Sequence, residues 1–248
     1  MAATVAQFRA ARRDPSRVVL EGFHALKHAL RFDATIETAL SPDPAAVGAL
    51  AEALAPDVAD RLAAVVERCE RALFDQLTPT PPETGVVAIA ARPAREDAAG
   101  RPDRPLVVLD APRHLGNVGA AVRVAAAADA AGVVVVGDVD PWHPTAVRGA
   151  AGLQFALPCR RVDAVAELAR PLLGFDAAGA RLGAGELDPA SAFVFGGERH
   201  GLTAATRAAV DRLVALPMRR GVSSLNLATA VAAALYGLAP PVTPPDAA

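Results

Sequence analysis

The sequence is short of the residue types that build disulfide-rich, metal-binding and aromatic-rich proteins. Its 248 residues include only two cysteines, Cys69 and Cys159. Two cysteines cannot form a disulfide framework, and these two lack metal-ligand spacing. Aromatic residues make up 4% of the chain, so alanine and valine supply most of the apolar surface. With 52% hydrophobic and 21% charged residues, the composition is that of a globular protein.

Membrane and hydrolase signatures are also missing. The longest apolar stretch near the end, residues 228–239, is too short to cross a bilayer. The first eight residues lack the basic flank and apolar run of a signal peptide, which predicts a cytoplasmic protein without a membrane segment. None of the five serines lies in a Gly-x-Ser-x-Gly turn, so hydrolase chemistry has no support.

Charge gives a divided indication. The net charge of −2 argues against a nucleic-acid-binding protein, yet basic residues concentrate at the amino terminus. That segment is either a local phosphate-binding patch or an ordinary solvated end. Nearby, His24 and His28 lie four residues apart, a spacing compatible with a metal. No third ligand is visible, so the sequence favours a solvated or RNA-facing pair. The basic residues of the segment are Arg9, Arg12, Arg13, Arg17, Lys27 and Arg31.

A segment rich in proline, arginine, aspartate and glycine over residues 92–105 predicts a linker between two domains. We expect a small α/β domain at residues 1–95, a linker at 96–104 and a second domain at 105–248. In the first domain the pattern predicts strands at 18–22, 35–40 and 85–90. Helices are expected there at 23–31, 45–54 and 57–73.

The second domain has continuous apolar runs that are typical of parallel strands buried on both faces. They predict strands at residues 106–110, 133–136, 193–195 and 212–216. A turn at 111–119 is expected to lead into a helix that continues through residue 131. Further helices are expected at 162–172, 203–210 and 225–238. Strands that alternate with helices indicate an α/β fold with a mostly parallel sheet and helices on both faces.

Three predicted loops follow strands of this sheet, where ligands of open α/β sheets bind. The first reads His-Leu-Gly-Asn-Val-Gly-Ala-Ala-Val-Arg over residues 114–123. The second reads Gly-Gly-Glu-Arg-His-Gly-Leu over 196–202. The third contains Leu216-Pro217-Met218 and then Ser223-Ser224-Leu225-Asn226. The first loop imitates a dinucleotide site, but its run Gly-Asn-Val-Gly-Ala-Ala lacks the Gly-x-Gly-x-x-Gly spacing, so the sequence disfavours that reading and keeps a nucleotide-dependent oxidoreductase only as a second alternative.

Together the three loops resemble the motifs of the SpoU group of SPOUT RNA 2′-O-methyltransferases. The resemblance covers about residues 105–240 and rests on Asn117 through Arg123, Gly196 through Leu202, and Pro217-Met218 with Ser224-Leu225-Asn226. Residues 19–22, Val-Leu-Glu-Gly, are also similar to the opening of the L30e-like RNA-binding domain found in this group. This sequence departs from the family's usual pattern at Asp129, where relatives usually carry glycine, and at Ala150, where many carry serine.

The resemblance implies a carboxyl-terminal trefoil knot, a homodimer that completes the active site, and methylation of a ribose 2′-hydroxyl without a metal. S-adenosylmethionine would bind in the knot, mainly through backbone. The implied substrate is RNA, with rRNA favoured over tRNA, and a catalytically silent RNA-binding protein on the same scaffold is the alternative. The residues expected to hold the cofactor are Gly196, Gly197, Leu216, Met218 and Leu225.

The expected catalytic residues are Arg123, Asn117, Glu198, Ser224 and Asn226. The family's arginine is described as the base, but a guanidinium holds its proton tightly, so Arg123 is also a candidate for orienting phosphate and stabilising alkoxide. Asn117 either contacts the ribose or stabilises its own turn. Glu198 either anchors Asn117 and Arg123 or contacts the partner subunit. Ser224 and Asn226 are active-site polar groups, helix caps or both.

Overall fold

The computed structural model describes residues 2–94, 101–182 and 187–238, and these residues form two compact units. Unit 1 comprises Met1–Ala94 and Trp142–Ala156, and unit 2 comprises Arg95–Pro141 and Leu157–Ala248. Of the linker expected at 96–104, residues 96–100 lie outside the described part of the chain.

Unit 1 contains a four-stranded mixed sheet in the order β1-β4-β2-β3. β4 pairs antiparallel with β1 and with β2, while β2 and β3 run parallel. Helix α2 buries Phe23, Leu26 and Leu30, whose spacing puts them on one face of a helix. The elements of this unit are α1 (Ala2–Ala11), β1 (Arg17–Glu21), α2 (Phe23–Arg31), β2 (Ile36–Ser41), α3 (Pro44–Leu54), α4 (Ala59–Val65), β3 (Val66–Arg68), α5 (Arg71–Phe74), β4 (Val87–Ala91) and α7 (Pro144–Gly149).

Unit 2 is built on a six-stranded sheet in the order β10-β8-β9-β5-β6-β7. Every neighbouring pair is parallel, which confirms the predicted parallel sheet. All residues of β5 and β6 are buried, as their apolar runs predict. The elements are β5 (Leu106–Asp110), α6 (Leu115–Ala127), β6 (Gly132–Val136), β7 (Cys159–Val162), β8 (Leu172–Arg181), β9 (Ala192–Gly196), α8 (Ala204–Ala209), β10 (Arg212–Ala215) and α9 (Leu227–Leu238).

Two predicted helices are wrong. The helix expected at 57–73 is divided, because Val66–Arg68 pairs with β2 and this tertiary pairing overrides the helical preference of the alanine-rich segment. The helix expected at 162–172 is replaced by the end of β7, a single 3₁₀ turn at Val165–Glu167 and the start of β8. Pro171 disfavours a helical conformation at the residue before it, which ends that segment.

The boundary of α6 also differs from the prediction. The sequence placed a turn over 111–119, whereas α6 begins at Leu115. Gly116, Asn117 and Gly119 therefore belong to the first two turns of a helix. A phosphate-binding turn needs its glycines in the loop before the helix, so the structure gives a second argument against the dinucleotide site. The short helices α1 and α7 were not predicted.

Candidate active site

The turns that follow β9 and β10 and the segment before α9 line one cavity of about 380 Å³ at the carboxyl edge of the sheet. Its size lies in the range of small-molecule sites. The cavity brings together seven of the residues expected from the sequence, namely Gly196, Gly197, Glu198, Leu216, Met218, Ser224 and Leu225. Asn117, Arg123 and Asn226 are not among its lining residues.

The turn after β9 depends on two glycines. A Cβ on Gly196 would overlap the backbone of Gly201 and Leu202, which folds back over the strand. A Cβ on Gly197 would lie 2.6 Å from the carbonyl oxygen of Ala111. The turn closes through a bond from the Gly201 amide to the Gly197 carbonyl oxygen at 3.0 Å. Only glycine permits this close approach, so the cavity wall at this point is backbone.

Buried Asp110, the last residue of β5, fastens the far end of the same turn. Asp110 is only 1% exposed, and its Oδ2 accepts a hydrogen bond from the Thr203 backbone amide at 2.6 Å. The Thr203 hydroxyl donates to the other carboxylate oxygen at 3.3 Å. Residues 197–203 are therefore held at both ends.

Glu198 joins this turn to the amino terminus of α6. Its carboxylate accepts hydrogen bonds from the backbone amides of Arg113 and His114 at 3.1 and 3.3 Å. It also accepts one from the Asn117 amide group at 2.7 Å. Burial by itself raises the pKa of Glu198, but the hydrogen bonds from Asn117 and from the backbone outweigh it, so the pKa lies below its ordinary value. A carboxylate is also favoured at the positive end of a helix dipole.

Asn117 and Asn226 form the next link. The Asn226 side-chain amide donates to Asn117 Oδ1 at 3.1 Å, and Asn117 Nδ2 donates to Glu198. Asn226 Oδ1 in turn accepts from the amides of Ala228 and Thr229 at 3.0 and 3.4 Å, which caps α9. Because α9 begins at Leu227 and not at Leu225, Ser224 lies too early to cap it. Through these side chains the turn after β9 is bonded to α6, and α6 is bonded to the start of α9.

Arg123 is separate from this cluster. It is exposed on α6, six residues after Asn117, and makes no hydrogen bond or ion pair with any residue that the structure describes. At 100° per residue, a separation of six puts its side chain about 120° around the helix from Asn117. Within one chain, Glu198 anchors Asn117 but does not contact Arg123.

The sequence missed one wall of the cavity. Phe175, Asp176 and Ala177 of β8 line it, together with Arg199 and Ser223. The Phe175 ring stacks on Phe195 with centroids 4.5 Å apart. A usable signal existed, since Leu172 to Phe175 is an apolar run between a proline and an aspartate, which is typical of a buried strand.

The described residues show neither a metal-ligand cluster around the predicted histidine pair nor a membrane-spanning helix. His28 Nδ1 lies 2.7 Å from the carbonyl oxygen of Ala151, and burial lowers the pKa of His28 despite that bond. Among the described residues, no group of three or more histidine, cysteine or acidic side chains is arranged to hold a metal ion. No helix in the described ranges has the length and apolar character needed to cross a bilayer.

The chain belongs to the SpoU rRNA methylase family, whose model matches residues 104–236, more than half of the sequence. It is 35% identical over 178 residues to a 23S rRNA (uridine(2479)-2′-O)-methyltransferase of Streptomyces viridochromogenes, a match that covers 63% of this chain and 59% of the relative. It is 31% identical over 196 residues to the 23S rRNA (guanosine-2′-O-)-methyltransferase RlmB of Vibrio cholerae, covering 71% of this chain and 78% of that protein.

The fold has the same relatives. The structure of the SpoU methyltransferase AviRb from Streptomyces viridochromogenes, solved in complex with AdoMet, superposes with a TM-score of 0.74 at 26% identity. The superposition covers 94% of this chain and 96% of that one. The α/β architecture with a parallel six-stranded sheet is therefore the architecture of SpoU methyltransferases.

Proposed function

We propose that this protein transfers a methyl group from S-adenosylmethionine to a ribose 2′-hydroxyl of RNA, with rRNA as the substrate. The observation that carries the proposal is the cavity formed by the second and third motif segments, with backbone at Gly196 and apolar side chains at Leu216, Met218 and Leu225. The first motif segment is joined to them through the hydrogen bonds of Asn117 with Glu198 and Asn226. The two named relatives act on 23S rRNA 2′-hydroxyls, and AviRb binds the same cofactor.

The cavity fits this cofactor in chemistry as well as in size. Leu216, Met218 and Leu225 offer apolar surface for an adenine ring, while the glycine turn leaves backbone groups accessible to polar atoms. S-adenosylmethionine supplies the methyl group as a sulfonium electrophile. The protein has to orient the ribose oxygen toward it, and accurate positioning of two reactants lowers a barrier by several kcal/mol.

The arginines around the cavity support an RNA substrate despite the net charge of −2. Arg199 lines the cavity, and Arg219 and Arg220 directly follow Met218, which also lines it. Like Arg123 and Arg113, they are exposed, and their side chains make no ion pair with the described residues. Arginines without acidic partners are available to phosphates, to which they bind as bidentate donors.

We assign the residues near the reacting sugar three roles. Glu198 and Asn117 hold the turn after β9 against α6, and Asn226 extends this link to α9. Ser224 faces the cavity as a polar side chain. Arg123 orients a substrate phosphate and stabilises negative charge as the 2′-oxygen passes its proton to solvent water and takes the methyl group, which leaves S-adenosylhomocysteine. A guanidinium gives up its own proton only with difficulty, so Arg123 stays charged during the step.

The position of Arg123 outside its own chain's cavity favours a homodimer in which each Arg123 serves the partner's cavity. A trefoil knot around the cavity, an L30e-like RNA-binding role for unit 1 and a cytoplasmic location complete the proposal. The resemblance of the motif segments to the family supports the knot and the location, and the similarity of residues 19–22 to the opening of an L30e-like domain supports the RNA-binding role of unit 1. Sedimentation equilibrium checks the dimer.

Arg123→Ala is the test of the proposal. We expect the variant to keep its unfolding midpoint and its calorimetric affinity for S-adenosylmethionine, and to lose at least 100-fold in tritium-methyl transfer to rRNA, the scale on which loss of one charge-stabilising donor acts. Arg161→Ala is the matched control, since Arg161 is an exposed arginine outside the cavity that pairs with Asp163.

Near-normal transfer by Arg123→Ala would overturn the role of Arg123. Binding of S-adenosylmethionine by the unaltered chain without any methyl transfer to RNA would favour the silent RNA-binding protein instead. Binding of NAD in place of S-adenosylmethionine would overturn the proposal as a whole.

A further inference from the structure

Strand β8 leaves its regular pairing at the cavity. Along β10, neighbouring residues Leu213 and Val214 pair with Gly174 and Ala180 of β8, so five residues of β8 have no counterpart on that side. Along β9, the last pair is Phe175 with Phe195. Residues 175–179 therefore form a bulge at the carboxyl edge of the sheet. Bulges at such places redirect side chains toward sites.

The bulge is closed at both ends. At its end, a Cβ on Gly179 would lie 2.5 Å from the Val214 nitrogen, so only glycine allows the strand to return to β10. Near its start, the Ala178 amide donates to Asp176 Oδ1 at 2.9 Å, and Phe175 stacks on Phe195. These contacts fix the direction of Asp176, which lies between them.

Asp176 is held as a partly buried carboxylate in the cavity wall. Its side chain is 14% exposed, and its Oδ2 is paired with the guanidinium of Arg207 from α8. A carboxylate has about four lone-pair positions. The Ala178 amide and Arg207 occupy two of them, which leaves acceptor capacity toward the cavity that Asp176 lines.

The other carboxylate of the cavity is already engaged. Glu198 receives its hydrogen bonds from Asn117 and the backbone before α6. Asp176 is thus the acidic group of the lining that has no contact with the α6 cluster. Since Arg207 already compensates its charge, a second cation gains little there, whereas neutral hydroxyl donors gain a charge-assisted hydrogen bond.

We propose that Asp176 is a cofactor-binding residue that accepts hydrogen bonds from the ribose hydroxyls of the adenosine part of the cofactor. The inference rests on the proposed function. Asp176 directly follows the last residue of β8 that pairs with β9, at the carboxyl edge of the sheet. A carboxylate at that edge is a suitable acceptor for a vicinal diol, as in other nucleotide sites of α/β sheets. The bulge of β8 provides it in a chain whose remaining cavity wall is largely backbone and apolar.

The test compares two variants that break the same ion pair. Asp176→Ala removes both the ion pair and the ribose acceptor, while Arg207→Ala removes only the ion pair. We measure binding of S-adenosylhomocysteine by calorimetry. Asp176→Ala is expected to weaken binding about 10- to 100-fold, the range of a lost charge-assisted hydrogen bond. Arg207→Ala is expected to change the affinity less than about threefold, with a similar loss of unfolding temperature in both variants.

A second pair of probes locates the contact on the ligand. 5′-Methylthioadenosine keeps the ribose but lacks the amino-acid part, so Asp176→Ala is expected to weaken it as much as S-adenosylhomocysteine. The 2′,3′-dideoxy form of 5′-methylthioadenosine lacks the ribose hydroxyls, so it is expected to bind Asp176→Ala and the unaltered chain with equal affinity. Equal weakening by Asp176→Ala and Arg207→Ala, or the same loss with the dideoxy probe, would overturn the inference while leaving the proposed function in place. Failure of the unaltered chain to bind S-adenosylhomocysteine would overturn both.

Discussion

At the scale of single residues, Glu198 explains why a carboxylate occurs between glycines. Its carboxylate oxygens accept hydrogen bonds from the backbone amides of Arg113 and His114 at the start of α6. The His114 side chain itself makes no capping hydrogen bond there. The sequence offered Glu198 as an anchor of Asn117 and Arg123 or as a contact to a partner subunit, but it did not indicate the bonds to these two backbone amides. Hydrogen bonds between residues 84 and 85 positions apart cannot be derived from local patterns.

Glu198→Gln is therefore expected to lower the free energy of unfolding at pH 7 by about 1–2 kcal/mol, which is less than the value of fully buried charged hydrogen bonds because Glu198 is only half-buried and solvent screens its charge. The pKa of Glu198 is lowered in the folded chain, so its stabilisation is present above the ordinary glutamate pKa and is lost as the pH falls through the folded value. Urea unfolding at several pH values checks this. A difference between variant and parent that stays constant down to pH 3 would contradict it.

Asp129 shows why one family departure is tolerated. It has a φ of 54°, in the left-handed region that favours glycine, and follows the end of α6. A glycine at this position would adopt the same φ at no steric cost. Here Asp129 binds Arg101 through two hydrogen bonds at 2.6 and 2.9 Å. Asparagine and aspartate adopt this conformation more readily than other side chains do, so α6 can end at an aspartate in the conformation that glycine favours. Ala150, the other departure, is fully buried in unit 1.

At the scale of elements, the accuracy of the prediction followed the kind of signal. β5 and α2 were predicted with their observed bounds, since a continuous apolar run and a one-faced apolar stripe are local properties. β3, β7 and β8 were missed. β3 and β7 have mixed polarity, and they are strands because β2 and β6 pair with them. β8 begins with an apolar run that was a usable signal, and only its polar second half lacks one. The missed cavity wall belongs to this group.

The turn after β9 gives a prediction at this scale. Gly196→Ala is expected to lower the free energy of unfolding by more than about 2 kcal/mol and to abolish cofactor binding, because its Cβ would overlap rigid backbone. Gly48→Ala is the control, since nothing lies within 4 Å of its Cβ in α3. That change is expected to stabilise by about 0.5–1 kcal/mol. Denaturant unfolding and calorimetry measure both, and a Gly196→Ala chain that binds the cofactor normally would contradict the account of the turn.

At the scale of the whole molecule, a net charge of −2 coexists with exposed arginines that have no acidic partners among the described residues. These arginines are Arg113, Arg123, Arg199, Arg219 and Arg220. Elsewhere acidic residues neutralise their arginines locally, as Asp57 does for Arg31 and Glu37 for Arg17. Overall charge therefore says little about this protein's partner, and the distribution of unpaired charge says more.

RNA binding is accordingly expected to depend on salt through these arginines. Changing Arg219 and Arg220 together to glutamine should weaken binding and reduce the slope of log K against log salt by about 1.5, since each phosphate contact contributes roughly 0.7–0.9. Fluorescence anisotropy with an rRNA fragment over a salt series measures the slope. Arg71→Gln is the control because Arg71 pairs with Asp75, and its slope should not change. An unchanged slope for the double variant would rule these arginines out as phosphate contacts.

The sequence by itself determined the parallel sheet, the three motif segments and the family, because buried strands and glycine turns leave a signature within a few residues. Only the tertiary structure decided how the motifs act together. The bonds from Asn117 to Glu198 and from Asn226 to Asn117 join residues 81 and 109 positions apart. The bulge that presents Asp176 exists because β8 pairs differently with β9 and β10. Such features arise from strand pairing and close packing between distant segments, which no local pattern encodes.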